Sequence, residues 1–271
     1  MIVDSSNKLW IWTAVTASAV GGLLYIPYAL GSPVKPSGGS WPGILYAIAG
    51  TGMMTFAGIL GARKKYPTLR VGRVQTWMRG HVWLSLLSVP MILFHSGFAM
   101  GGTLTSLLVV MFALVTISGI AGLILQQFVP RLMMEQVASE VIYDQAEEYV
   151  NQLLESAEKS VQSLQPGDQY TTANEFYAKQ VKPFIAGAGR DGLLSTKHRA
   201  DAAFRHMRVL VPPAAHSALN ELLELVEKRR DLTRQLHLHR LLHGWLLVHV
   251  PISAALFTLI VVHALMAVRY A

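Results

Sequence analysis

The sequence contains no cysteine. Disulfide bonds, thiolate-ligated iron–sulfur or zinc centres and covalently attached c-type haem all require cysteine, so each is excluded for this chain. Charge is also scarce, since only 14% of the 271 residues are Asp, Glu, Lys or Arg, whereas 52% are hydrophobic. The mean hydropathy of +0.38 is too high for an ordinary soluble domain.

Five apolar segments contain no Asp, Glu, Lys or Arg at all. Each has about 20 residues or more, which is enough for a helix to cross a hydrocarbon layer roughly 30 Å thick. The sequence therefore predicts an all-α integral membrane protein, a helical bundle of five transmembrane helices. These five runs are Leu9 to Leu30, Trp41 to Ala62, Gly80 to Met100, Thr103 to Val129 and Leu242 to Val268.

The loops between the runs predict the orientation. The second loop carries six Lys or Arg and no acid, whereas the first carries only Lys35. Because positive loops stay in the cytoplasm, we expect the N-terminus to be cytoplasmic and the C-terminus outside. We expect a multi-pass protein of a bacterial or archaeal cell (inner) membrane. The formal net charge of +7 lies beside these runs and comes with no nucleic-acid-binding motif, so we expect no nucleic-acid partner.

The predicted organisation has three parts: residues 1–130 with helices one to four, a mostly helical cytoplasmic insertion at 131–240, and helix five at 241–271. Apolar residues at three- and four-residue steps predict that helix four continues from Met133 to Leu164. Thr172 and Glu175 resemble a capping box of a short helix that ends near Pro183. A further helix is predicted from Ala214 into the fifth run without a break.

Five histidines lie in these runs. Four of them form two equally spaced pairs, His81 and His95 in the third run and His249 and His263 in the fifth, and His243 stands at the start of the fifth run. Each pair is fourteen residues apart, which on an α-helix is a rise of about 21 Å and an angular offset of about 40°. Runs three and five cross the membrane in the same direction, so the first histidine of one run should pair with the first histidine of the other. We therefore expect His81 with His249 near the inner face, and His95 with His263 near the outer face.

This pattern predicts axial ligands for two haems, because two neutral imidazoles saturate a haem iron. Two other interpretations stay open: each histidine is a buried polar residue bonded to a neighbour, or the four form a proton relay. Relays usually recruit Asp or Glu, and the runs contain neither. A zinc site at His239 and His243 is disfavoured because no cysteine or nearby carboxylate accompanies them.

With these four histidines at this spacing, the chain resembles the dihaem membrane cytochromes b. The group includes cytochrome b of quinol–cytochrome c oxidoreductases, membrane subunits of several dehydrogenases, and the transmembrane core of ferric reductases and NADPH oxidases. Ligands on the third and fifth runs are more similar to the ferric-reductase arrangement. The sequence departs from the pattern of these cytochromes in two ways: no flavin or NADPH domain follows the fifth run, and the outer quinol-site loop motif of bc-type cytochromes is missing.

The resemblance implies two haem b cofactors and quinone as a further ligand. It implies an electron-transfer subunit of a quinone-linked oxidoreductase, which exchanges electrons between the quinone pool and an external c-type cytochrome within the membrane lipid. The alternative is a ferric-reductase-like core that accepts electrons from a cytoplasmic flavoprotein. A third class is a haem-free membrane scaffold or transporter, whose function would survive loss of a single histidine.

Arginines at the ends of the runs are candidate partners for haem propionates: Arg79 and Arg240 for the inner haem and Arg269 for the outer one. Simple positive-inside anchoring explains the same residues. The tryptophans, Trp245 among them, are interpreted as interfacial anchors rather than site residues. Glycines in the second and fourth runs let either a porphyrin or a neighbouring helix approach the backbone.

Overall fold

The computed structural model describes residues 7–33, 35–65, 72–136, 145–164, 168–188 and 192–270. Within these ranges every regular element is helical, so the prediction of an all-α fold is confirmed there. The helices are α1 (Lys8–Gly31), α2 (Trp41–Lys65), α3 (Val74–Ser96), α4 (Thr103–Gln136), α5 (Ala146–Gln162), α6 (Asp168–Phe176), α7 (Lys182–Ala186), α8 (Lys197–Leu210) and α9 (His216–Tyr270).

Five of these helices are long and apolar enough to cross a membrane: α1, α2, α3, α4 and the C-terminal part of α9. Many of their large side chains point outward, for example Leu247, which is 76% exposed, and Ile117, which is 64% exposed. Apolar residues on the outer face of a helix bundle are what a lipid environment favours and water does not.

The bounds of α3 differ from the predicted run. The helix begins at Val74, six residues earlier than the uncharged stretch, and ends at Ser96 rather than Met100. Gly97 ends it by adopting a left-handed conformation with φ of 61°, which glycine tolerates best. Any Cβ at Gly97 would also overlap the carbonyl of Pro36. His81 and His95 both remain inside the helix.

The chain separates into two compact units. The first unit comprises Met1–Phe128 and Leu242–Ala271. In it α3 packs against α2 and α1, and small residues allow the close approach. A Cβ added at Gly80 would lie 2.6 Å from the Phe56 ring, and one at Gly50 would lie 2.8 Å from Ile92.

The second unit comprises Val129–Leu241 and has its own apolar core. Phe204 of α8 is fully buried among Ile185 of α7 and Leu222 and Val226 of α9. The buried Ser160 of α5 donates a hydrogen bond of 2.7 Å to the Glu221 carboxylate of α9. α5 and α9 are thereby joined across the core.

Three details of the predicted insertion can be compared with these helices. Thr172 does not cap a helix, because α6 already begins at Asp168. The segment does not stop near Pro183 either: a π-helical turn at Tyr177–Val181 leads into α7, where proline is tolerated in the first turn. Residues 137–144, where α4 was predicted to continue into α5, lie outside the described residues. α9 runs without a break over 55 residues, as predicted.

Candidate functional site

His95 of α3 and His263 of α9 lie side by side in the first unit. Their ring centres are 6.4 Å apart, and the ring planes make an angle of 74°. An iron bound between two imidazole nitrogens, at about 2 Å from each, places the ring centres roughly 6 Å apart. The spacing of the two ring centres therefore matches that of two imidazoles that share one metal ion.

His81 of α3 and His249 of α9 form the second pair, and both line one cavity of about 120 Å³ in the first unit. α2 and α4 supply the other walls, including Gly58 and Gly119. The cavity is far smaller than a porphyrin. A haem at this pair would need more space than the side chains lining the cavity leave.

The main chain holds two of the imidazoles in one tautomer. His81 Nδ1 lies 2.9 Å from the carbonyl oxygen of Ala57, and His95 Nδ1 lies 3.0 Å from that of Gly43. A carbonyl oxygen can only accept, so each Nδ1 carries the proton and donates it. Each Nε2 then keeps a free lone pair, which is the arrangement found in metal-ligating histidines.

His249 is held differently. Its Nδ1 lies 3.2 Å from the hydroxyl oxygen of Ser118 on α4, a group that can either donate or accept. The backbone carbonyl of His249 accepts a hydrogen bond of 2.8 Å from the Ser253 hydroxyl. Ser118 therefore contacts the ring, whereas Ser253 contacts only the main chain of the same residue.

Trp245 is a site residue that the sequence interpretation assigned to interfacial anchoring. Its indole stacks on the His249 ring, with centres 5.1 Å apart and an angle of 24°. Its Nε1 donates to the Ser118 carbonyl at 2.8 Å, and the ring lies directly against Gly122, which has no side chain to obstruct it. The sequence spacing could have indicated this contact, because Trp245 and His249 are four residues apart and such residues share a face of a helix.

The loop between α1 and α2 lies against the His95 ring, beside its Cε1 and Nε2 atoms. A Cβ added at Gly38 would lie 2.8 Å from His95 Cε1, so the backbone of this loop packs directly on the imidazole. Phe94, the residue before His95, also packs against α1: its ring stacks on that of Tyr25, with ring centres 4.9 Å apart. The hydroxyl of Tyr46 donates to the Gly21 carbonyl at 2.7 Å and ties α2 to α1.

The three arginines lie in different surroundings. Arg79 is half-buried on α3, two residues before His81. Arg269 is exposed, with its guanidinium 5.8 Å from the centre of the Tyr270 ring. Arg240 belongs to the second unit, where it lines a separate cavity. Their assignment to propionates stays a prediction.

Among the described residues, no group of three or more His, Asp or Glu side chains is placed to hold a metal ion. His239 and His243 belong to no such group there. A haem iron asks for only two protein ligands because the porphyrin supplies the other four. The donor set of His95 and His263, two imidazoles with ring centres 6.4 Å apart, therefore fits haem better than a bare zinc ion, which takes four ligands.

Comparisons of the chain with models of protein families, with curated proteins and with solved structures find no match.

Proposed function

We propose that this protein is a dihaem cytochrome b of a bacterial or archaeal cell membrane. In this proposal His81 and His249 ligate an inner haem, and His95 and His263 ligate an outer haem. The supporting observation is the outer pair, whose ring centres lie 6.4 Å apart on two different helices. Supporting it further, carbonyl partners at His81 and His95 leave Nε2 free to bind iron.

The protein residues have three tasks in this proposal. The four imidazoles would occupy the positions that each porphyrin leaves open on its iron, so the haems would supply one-electron transfer rather than binding of oxygen or a substrate. The hydrogen bonds at Nδ1 orient the rings and make them better electron donors. The fourteen-residue spacing sets the two centres about 21 Å apart along α3, so that electrons cross the membrane in steps.

We assign the protein to the membrane subunit of a quinone-linked oxidoreductase, which exchanges electrons between the quinone pool and an external c-type cytochrome. Orientation follows from the positive loop between α2 and α3, which favours a cytoplasmic N-terminus. The ferric-reductase-like alternative is favoured by one observation, the position of the histidines on the third and fifth apolar helices. It requires a cytoplasmic flavoprotein as electron donor.

One experiment tests the proposal and separates the two versions. Purified protein should show a low-spin b-type spectrum, and a reduced quinol should reduce both haems in a reaction that quinone-site inhibitors block. Reduction by NAD(P)H only in the presence of a co-purifying flavoprotein would support the ferric-reductase-like version instead. Protein that binds no haem under any of these conditions would contradict both.

Replacing Ser118 by alanine should raise the midpoint potential of the inner haem. With Nε2 on the iron, His249 Nδ1 donates to Ser118 Oγ, which enriches the ring in electrons and stabilises oxidised iron. Loss of one such hydrogen bond, worth about 1 kcal/mol, corresponds to a rise of about 40 mV for one electron. A spectroelectrochemical titration measures it.

Ser253→Ala is the matched control. Ser253 lines the same cavity, but its hydroxyl donates to the main chain of His249 and not to its ring. We expect the potentials of both haems to stay within about 10 mV of wild type, because the electronic state of the imidazole is unchanged. Equal shifts in the two variants would show that Ser118 acts through packing alone.

A further inference from the structure

The second unit contains a cavity of about 810 Å³ whose walls come from residues 184–240. Its volume lies within the range of about 300–1,000 Å³ that is typical of small-molecule sites. Among the described residues, two carboxylates line it, Glu227 and Asp231. Against these stand five cationic side chains, namely Lys197, Arg229, Arg230, Arg234 and Arg240. The cavity lining is therefore strongly basic.

Two of the arginines are held in place by the main chain of buried residues. Arg229 Nε donates to the carbonyl of Ile185 at 2.7 Å, and its Nη1 donates to the Thr233 hydroxyl at 2.6 Å. Arg230 Nη2 donates to the carbonyl of Leu194 at 3.4 Å. Guanidinium groups that are already ordered lose little entropy when an anion binds.

Arg230 is not fully satisfied by these contacts. Within the part of the chain that the structure describes, its Nε is buried and has no hydrogen-bond partner. A buried donor without an acceptor costs free energy, more so on a charged group. Arg230 also lines the cavity, so its guanidinium adds positive charge to the wall.

The start of α8 lies in the same wall. Ser195, Thr196 and Lys197 line the cavity, and Thr196 is the N-cap of this 14-residue helix. The first backbone N–H groups of a helix have no partner within it, and its N-terminus carries a partial positive charge. Together with the arginines, this helix end supplies both charge and directed donors for phosphate oxygens.

We propose that this cavity binds a phosphate-bearing anion. Two sources share that chemistry: a soluble phosphate ester such as a nucleotide, and the headgroup of an anionic phospholipid. Volume favours the first, since 810 Å³ accommodates a ligand larger than phosphate alone. Position in the sequence favours the second, because Arg240 comes two residues before the apolar run that begins at Leu242. The proposal does not depend on haem.

The soluble source is tested by titrating ATP and inorganic pyrophosphate into the detergent-purified full chain in a calorimeter. We expect saturable binding that weakens with added salt. Lys197→Gln and Arg234→Gln should each weaken it about tenfold, because each removes a charge-assisted hydrogen bond. Both side chains are exposed, so the helical circular dichroism should stay unchanged.

The matched controls remove the same charges from the same helices outside the cavity lining. Lys228→Gln on α9 and Arg205→Gln on α8 are exposed and do not line it. They should bind ATP as wild type does. An equal loss in cavity and control variants would mean that the ligand senses only the overall charge, and the proposal would be wrong.

The lipid source is tested in nanodiscs of phosphatidylcholine with and without phosphatidylglycerol, followed by native mass spectrometry of the released protein. Retention of phosphatidylglycerol that falls in Lys197→Gln and Arg234→Gln, but not in the two controls, supports a headgroup site. If neither ATP, pyrophosphate nor phosphatidylglycerol binds, the proposal is overturned. The haem spectrum is recorded in the same samples, so failure here is distinguishable from failure of the proposed function.

Discussion

His263→Ala should reduce the haem content of the purified protein from the two per chain that we propose to one. Its imidazole ring centre lies 6.4 Å from that of His95, and alanine would remove one of the two protein ligands proposed for the outer haem. The inner pair, His81 and His249, lies fourteen residues away along each helix and should retain its haem. A pyridine haemochrome assay against protein concentration measures the stoichiometry, and a redox titration should show one component instead of two.

Double variants test which histidines share an iron. If His95 and His263 form one pair, then His95→Ala/His263→Ala should lose no more haem than either single variant. His81→Ala/His263→Ala should lose both haems, because one ligand of each pair is missing. Two residues that act as a unit show this non-additivity. Loss of both haems in the first double variant would mean that the pairing is crossed.

His243→Ala is the matched control for removing a histidine from α9. It lies six residues before His249, which turns it about 120° away on the helix. We expect two haems per chain and an unchanged spectrum. If the protein is instead a haem-free scaffold or transporter, all of these histidine variants should behave alike, because no single histidine replacement would change a haem signal or abolish function.

Phe204→Ala should destabilise the second unit by about 3–5 kcal/mol, the usual cost of deleting a fully buried phenyl ring. Phe204 is 0% exposed, and its ring meets that of Phe176 edge to face at 5.1 Å. Alanine would leave a cavity among α6, α7, α8 and α9. Hydrogen–deuterium exchange of the amides in α5 and α8 should accelerate at least about a hundredfold, since each 1.4 kcal/mol is a factor of ten.

Val209→Ala, five residues further along α8, is the control for this loss of apolar volume. Val209 is 83% exposed, so its truncation should change the stability by no more than about 0.5 kcal/mol. Exchange rates in α5 and α8 should then match the wild type. A Phe204→Ala variant with exchange as slow as the control would show that the unit does not depend on this core.

The sequence alone predicts the features that show as a helical repeat of apolar residues or as a long segment without charged residues. The five apolar helices and the unbroken α9 follow from such local patterns, because backbone hydrogen bonds in a helix join residues only four apart. The bounds of α3 could not be predicted from the uncharged run, since the mixed segment from Val74 to Arg79 that precedes it forms a helix too. The prediction of a capping box at Thr172 was wrong because α6 already begins at Asp168.

The candidate site depends both on the spacing of residues in the sequence and on the tertiary structure. Spacing alone picks out the four histidines, because fourteen residues return a helix nearly to the same face. Only the tertiary structure brings in the groups that hold them, since these come from distant parts of the chain: Ala57 is 24 residues from His81, Gly43 is 52 from His95, and Ser118 is 131 from His249. No periodic pattern encodes such contacts. The basic cavity likewise depends on contacts between distant residues, among them the hydrogen bonds of Arg229 and Arg230 to carbonyls 44 and 36 residues away.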